Sequence, residues 1–220
     1  LLNMIFAHPE VARYIVRKLY RFFVYYDIDS NIESNVIVPL ADIFRTANYE
    51  IKPVLQALFT SQHFFDYIES KGCIIRSPLE YCVGTGRTFG LTGMAAPSDI
   101  TGLYRNYRFF RDSASQQTMD LGAPPDVSGW PPYYQTPTFH ELWINADTLR
   151  KRKEFIDRIV VSGSNGMKAD ILLFTANLTN PADPNALIAE VLELVHTLPS
   201  DPAVVTALKS ILLSNQASDA

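Results

Sequence analysis

The sequence predicts an all-α fold: a multi-helix bundle carrying one long, ordered loop rich in proline and aromatic residues. Three observations carry this. Apolar residues recur at helical spacing through most of the chain. Proline and Ser, Asn or Asp start signals stand ahead of several of these runs. One stretch, LGAPPDVSGWPPYYQTPTFHELWIN at 121–145, is written like neither helix nor strand, with five prolines and five large rings.

The first element is HPEVARYIVRKLYRFFVYY, in which Val11, Ile15, Leu19, Phe22 and Tyr26 fall on one helix face. Pro9 suits its first turn. Arg13, Arg17 and Arg21 form a second, solvated stripe, with Glu10 in reach of Arg13. IESNVIVPLADIFRTANYE reads as a second helix with Pro39 near its start or at a kink. IKPVLQALFTSQHFFDYI reads as a third, opened by Pro53, with Val54, Leu55, Leu58 and Phe59 inward and Phe64, Phe65 and Tyr67 in a following turn.

RSPLEYCVGTGRTFGL opens on a capping box of Ser77 and Glu80 with Pro78 at the first helical position, and Gly90 is its stop. PSDITGLYRNYRFFRDSASQQTMDLG is a longer helical stretch. After the proline-aromatic loop, NADTLRKRKEFIDRIVVSG is a helix capped by Asn145 or Asp147, with Leu149, Phe155, Ile156 and Ile159 inward. Residues 163–170 read as a Gly/Ser/Asn linker, and DILLFTANLT fits strand or helix equally. Two amphipathic helices opened by Asp-Pro pairs close the chain. At about eleven to twelve residues per helix, six to eight helices are expected. The expected organisation is a main helical domain at 1–162, then a linker and C-terminal helices at 163–220 packing on the same core.

Hydrophobic residues make up 47% of the 220 and charged residues 19%, enough apolar material for a sizeable core. A net charge of −4 gives no broad attraction to nucleic acid or anionic membranes. No apolar run approaches the roughly eighteen residues of a membrane span. The chain starts on Leu1 without a leader pattern and is read as a piece of a longer protein. Cys73 and Cys82 match no zinc or redox spacing and read as two buried thiols.

Several motifs read as structure rather than chemistry. GTGRTFG at 84–90 places its third glycine one position late for a dinucleotide fingerprint and lies inside a capped helix, so close helix packing explains it better. His8, His63, His140 and His196 show no metal-binding pattern; a site would need the first three to converge with Asp66 or Glu141. No cofactor or metal is expected. VSGSNG at 161–166 lacks the leading glycine of a nucleophile elbow. YRNYRFFR at 104–111 interleaves rings with arginines, which at helical spacing puts rings in the core and arginines at its edge. NLT at 177–179 matches the glycosylation triplet, which is common by chance.

The 121–145 loop is the candidate site. Pro124, Pro125, Pro131, Pro132 and Pro137 restrict the backbone. Trp130, Tyr133, Tyr134, Phe139 and Trp143, with Asn145, are the expected ligand-binding residues on this stiff loop. The competing reading is that the rings plug the loop onto the helices. Asp126, His140 and Glu141 are the candidate acid–base residues.

FAHPEVARYIVRKLYRFFV, PLADIFRTANYEIKPVLQALFTSQHFF, IRSPLEYCVGTGRTFGL, APPDVSGWP and WINADTLRKRKEFI together resemble the C-terminal half of the bacterial family called Domain of Unknown Function 1800. The likeness is strongest over 6–157, and PP-x-V-x-GWP followed by WIN is its specific part. Here Asp126 stands where the family pattern often has Asn, and PYYQTPTFHEL replaces a short glycine-rich link. The resemblance implies a longer protein with a further helical region before Leu1, exported to a periplasmic or secreted location. Such proteins are often encoded beside a second uncharacterised family similar to sulfatases. It carries over no catalytic residue.

Two functions follow. The first is a binding or scaffold module of a larger exported bacterial protein, with its ligand surface on the loop. Its partners would be the N-terminal region of the same protein, another protein or a polysaccharide, and not nucleic acid. The alternative is a hydrolase-type enzyme in which Asp126, His140 and Glu141 act, with or without a metal.

Overall fold

The computed structural model describes residues 2–65, 72, 74–197 and 199–216. The fold is predominantly helical, as the periodicity predicts. The chain divides into two compact units, Leu1–Ile74 and Ile75–Ala220.

In the first unit a short α1 (Leu2–Phe6) precedes α2 (Pro9–Phe23). His8 caps α2 by accepting the Glu10 N–H on Nδ1 at 3.2 Å, with Pro9 at the first helical position. The buried stripe of α2 is Ala12, Val16 and Tyr20, while Phe22 is exposed. This is one residue away from the expected Val11–Ile15–Leu19–Phe22 face. Ile15, Leu19 and Phe23 flank the stripe, and the Tyr20 hydroxyl lies 2.9 Å from His63 Nε2. A small Ala and a hydroxyl-bearing ring thus hold the centre of the interface.

The second predicted helix runs as α3 (Ser30–Ile32), a π-helical turn (Glu33–Ile37) and α4 (Val38–Thr46). Asp29 caps its start through the Ile32 N–H. Pro39 is the second residue of α4, in the first turn after the π-helical stretch, where a proline's missing N–H is tolerated. α5 (Ile51–Phe59) buries Val54 and Leu58, and α6 (Gln62–Phe65) follows. Tyr67 lies outside the described residues. Leu40, Ala41 and Phe44 complete the core with Val54 and Leu58. Arg17 bridges Glu33 (2.6 Å) and Glu10 (3.1 Å), so the arginine stripe is more than a solvated shoulder. Its guanidinium holds both carboxyls below their ordinary range.

In the second unit α7 (Pro78–Phe89) begins at the expected capping box. The Ser77 N–H donates to Glu80 at 2.9 Å, and the Glu80 N–H to the Ser77 hydroxyl at 3.4 Å. Gly90, at φ 65°, ends the helix. Strand β1 (Leu91–Thr92) comes next, and then α8 (Ile100–Gln116), one unbroken helix capped by Asp99. α9 (Ala146–Ile156) continues as a π-helical stretch (Asp157–Ser162). It buries Phe155 and Ile159 as expected, but Leu149 is exposed and Arg152 takes an inward place.

Residues 163–170, read as a linker, contain strand β2 (Lys168–Ala169), which pairs antiparallel with β1, Leu91 opposite Ala169 and Thr92 opposite Lys168. Two glycines make this approach feasible. A Cβ on Gly93 would stand 1.9 Å from the Gly166 carbonyl oxygen. Met167 and Ala169 enter the apolar cluster of Cys82, Phe109, Phe110, Phe155 and Ile159. DILLFTANLT resolves as helix α10 (Ile171–Ala176) capped by Asp170. The Asp-Pro pairs open α11 (Pro184–Val195) and α12 (Pro202–Gln216). No helix among the described residues is long and apolar enough to cross a membrane.

Candidate functional site

The 121–145 segment is ordered by its own hydrogen bonds. Two 3₁₀ turns, Pro131–Tyr133 and Phe139–Trp143, pack on each other. The N–H groups of Tyr133, Tyr134 and Gln135 donate to Trp130, Pro131 and Pro131 carbonyls at 3.0, 3.0 and 2.7 Å, and the Phe139 N–H donates to Gln135 at 2.9 Å. Phe139 sits at φ 40°, a conformation that costs a non-glycine residue about 1–3 kcal/mol and persists only where its surroundings impose it.

Anchoring residues gather at the C-terminal end of the segment. Trp143 is 2% exposed, and its carbonyl accepts the Thr148 hydroxyl at 2.9 Å. The Asn145 side-chain oxygen accepts the N–H groups of Asp147 and Thr148 at 3.0 and 2.9 Å, capping α9. Trp143 and Asn145 are therefore committed to the frame. The rings before them are not. Tyr133 is 50% and Tyr134 40% exposed, and Trp130 and Phe139 are half-buried. Tyr133 meets Trp143 edge-on, with ring centroids 5.7 Å apart. The plug and the platform readings thus divide the segment between them.

The acid–base candidates are placed differently. Asp126 is exposed and accepts the Ser128 N–H at 3.0 Å within a tight turn closed by Gly129. His140 is buried, and its Nδ1 accepts the Ile75 N–H at 3.2 Å, which places the proton of the neutral ring on Nε2. Burial pushes its pKa down, opposed by the Glu141 carboxylate. Asp126 serves its own turn, and the carboxylate that acts on His140 is its neighbour Glu141. His8 and His63 are used locally in the first unit, and His196 Nδ1 lies 2.9 Å from the Ser200 hydroxyl. Among the described residues no three His, Cys, Asp or Glu side chains gather as a metal site. Asp66 and Cys73 lie outside them. Cys82 is a free, buried thiol whose pKa burial pushes up to about 12, and it accepts Gln117 Nε2 at 3.3 Å.

A second feature is one that residue spacing alone does not reveal. A groove of about 580 Å³ is lined by α7, α8, β1 and Leu121, the first residue of the ring-bearing segment. Two motifs read as structural converge on it: Gly86, Arg87 and Gly90 of GTGRTFG, and Tyr107, Phe110 and Arg111 of the interleaved helix. In that helix Phe109 and Phe110 are buried, but Tyr104 and Tyr107 are exposed, which departs from the expected all-inward rings.

Arg152 is the other polar group sequence reasoning missed. It is 7% exposed, donates from Nη2 to the Arg76 carbonyl at 2.7 Å and lies over the Tyr81 ring at 4.7 Å. Burial lowers its pKa, while the ring face and the carbonyl hold it in place.

Residues 1–220, the whole chain, match the family model described as Protein of unknown function (DUF1800). Comparison with curated proteins and with solved structures gives no match.

Proposed function

The chain belongs to the DUF1800 family, and we propose that it acts as a binding module of a larger exported bacterial protein, its contact surface the ring-bearing face of residues 130–139. The observation that carries this is the pairing of exposure with order. Tyr133 and Tyr134 project from a backbone already hydrogen-bonded and pinned by Trp143. A surface held in shape before contact loses little conformational entropy on binding.

The partner this surface suits best is a polysaccharide. The rings offer flat apolar faces, and exposed Gln135, Asp126 and Glu141 supply hydrogen-bonding groups in the same segment. The Trp130 indole N–H is buried and adds no donor to that face. Trp143, expected among the ligand contacts, supports this surface as its buried anchor, and Asn145, also expected there, caps α9 beside it. The hydrolase reading has weaker support. The His140 ring is buried with Nδ1 occupied, and Asp126 serves its own turn.

Affinity electrophoresis through immobilised polysaccharides tests the proposal. The chain should be retarded by at least one of them, and the Tyr133→Ala/Tyr134→Ala double variant should run free with its helical circular dichroism intact. Equal retardation of both proteins would remove the rings from the contact.

A further inference from the structure

The groove between α7 and α8 is independent of the ring surface and has a different chemistry. Its lining is mostly apolar: Leu79, Val83, Leu91, Met94, Phe110 and Leu121. Its volume, about 580 Å³, falls within the roughly 300–1,000 Å³ of small-molecule sites. Gly86 keeps it open. A Cβ there would meet Leu91 Cδ1 at 3.0 Å and Phe110 Cζ at 3.4 Å, so a larger residue would intrude among the lining side chains.

The charged groups of the lining carry one sign. Arg87 and Arg111 line the groove, and no carboxylate does. Arg87 makes no ion pair among the described residues. Arg111 shares the single carboxylate of Asp112, at 2.5 Å, with Arg108 at 3.5 Å, so two guanidinium charges face one carboxylate. An apolar cleft with surplus positive charge selects an apolar molecule with an anionic end. The apolar walls offer little to hydrogen-bond a nucleobase. Two arginines also fall short of the four to eight basic residues, roughly, that mark recognition of an anionic membrane surface.

We propose that this groove binds a free amphiphilic carboxylate of the fatty-acid type. The chain lies against Leu79, Val83 and Phe110, and the carboxylate is held by Arg87 and Arg111. Isothermal titration of the full chain with dodecanoate, dodecan-1-ol and dodecylammonium, each below its micellar concentration or solubility limit, tests it. Dodecanoate should bind at one per chain, with the alcohol about tenfold weaker or more and the cation weaker still. Arg87→Gln should lower dodecanoate affinity about tenfold and leave that of the alcohol unchanged. Gly86→Leu should abolish binding of both; Arg87→Gln, at an exposed position, keeps the test decisive if that variant does not fold. The proposal is overturned by equal affinity for acid and alcohol, by no dodecanoate binding at millimolar concentration, or by retention of wild-type dodecanoate affinity in Arg87→Gln. It is also overturned if the chain binds vesicles of anionic phospholipid but not the free acid.

Discussion

The ring-bearing segment and the α7–α8 groove set their aromatic residues in different frames. The segment buries Trp143 to the 2% level and leaves Tyr133 and Tyr134 half outside, on its own surface. The groove recesses Phe110 at 9% exposure among apolar side chains, has exposed Tyr107 in its lining, and keeps its charge on Arg87 and Arg111. Outward rings suit an extended partner that can lie across them, whereas a recess suits a small ligand that can be enclosed. The difference teaches where order comes from in each. The groove inherits its shape from two capped helices. The segment must be tied down at one end to display anything at the other.

That division of labour can be broken in graded steps. Trp143→Ala should cost about 3–5 kcal/mol in urea unfolding, the range for truncating a large buried ring. A loss near that of an ordinary surface change would mean Trp143 anchors nothing. Ser77→Ala, which removes the cap of α7, should cost about 1 kcal/mol by the same measurement. Lowered ligand affinity in the groove without loss of the ring contact would sharpen the independence of the two sites.

A smaller effect concerns pH. Burial holds the His140 imidazole below its ordinary 6.5, so the unfolded chain takes up a proton that the folded chain refuses. Stability from this group is complete above about pH 6.5 and declines as pH falls through the depressed folded value. Protonation would also turn Nδ1 into a donor facing the Ile75 N–H. Unfolding curves between pH 7 and 5 should therefore slope less in His140→Gln; identical slopes would place the ring in contact with solvent. The smallest change expected is Tyr134→Ala, within about 0.5 kcal/mol of wild type, since an exposed display residue supports little. A cost rivalling that of Trp143→Ala would erase the distinction between anchor and display.

Local chemistry was legible in the residues, and tertiary assembly much less so. The Ser77–Glu80 box, the Gly90 stop, the Asn145 cap and the Asp-Pro helix starts all depend on neighbours within a few positions, and each stands where its residues indicate. The helix face of α2 was displaced because the interface centres on Ala12, which carries little hydrophobic weight, and on Tyr20, whose hydroxyl finds a partner at His63. Strand β2 was hidden because two residues show no period, and its partner strand, Leu91–Thr92, lies more than seventy positions earlier in sequence. In the candidate site, stiffness was readable from the prolines, but which ring would be buried depended on packing. The groove could not be read from spacing at all, since it exists only where Gly86 meets Phe110 across two helices.

Amide exchange at Tyr133, Tyr134, Gln135 and Phe139 tests most directly whether the ring surface is formed in advance. Their N–H groups are bonded within the segment, and Trp143 ties that segment to the first turn of α9 through Thr148. These four amides should exchange together with those of Asp147 and Thr148, as one cooperative unit. Exchange of the four at the rate of a free peptide, while Asp147 and Thr148 stay protected, would contradict a surface that exists before its partner arrives.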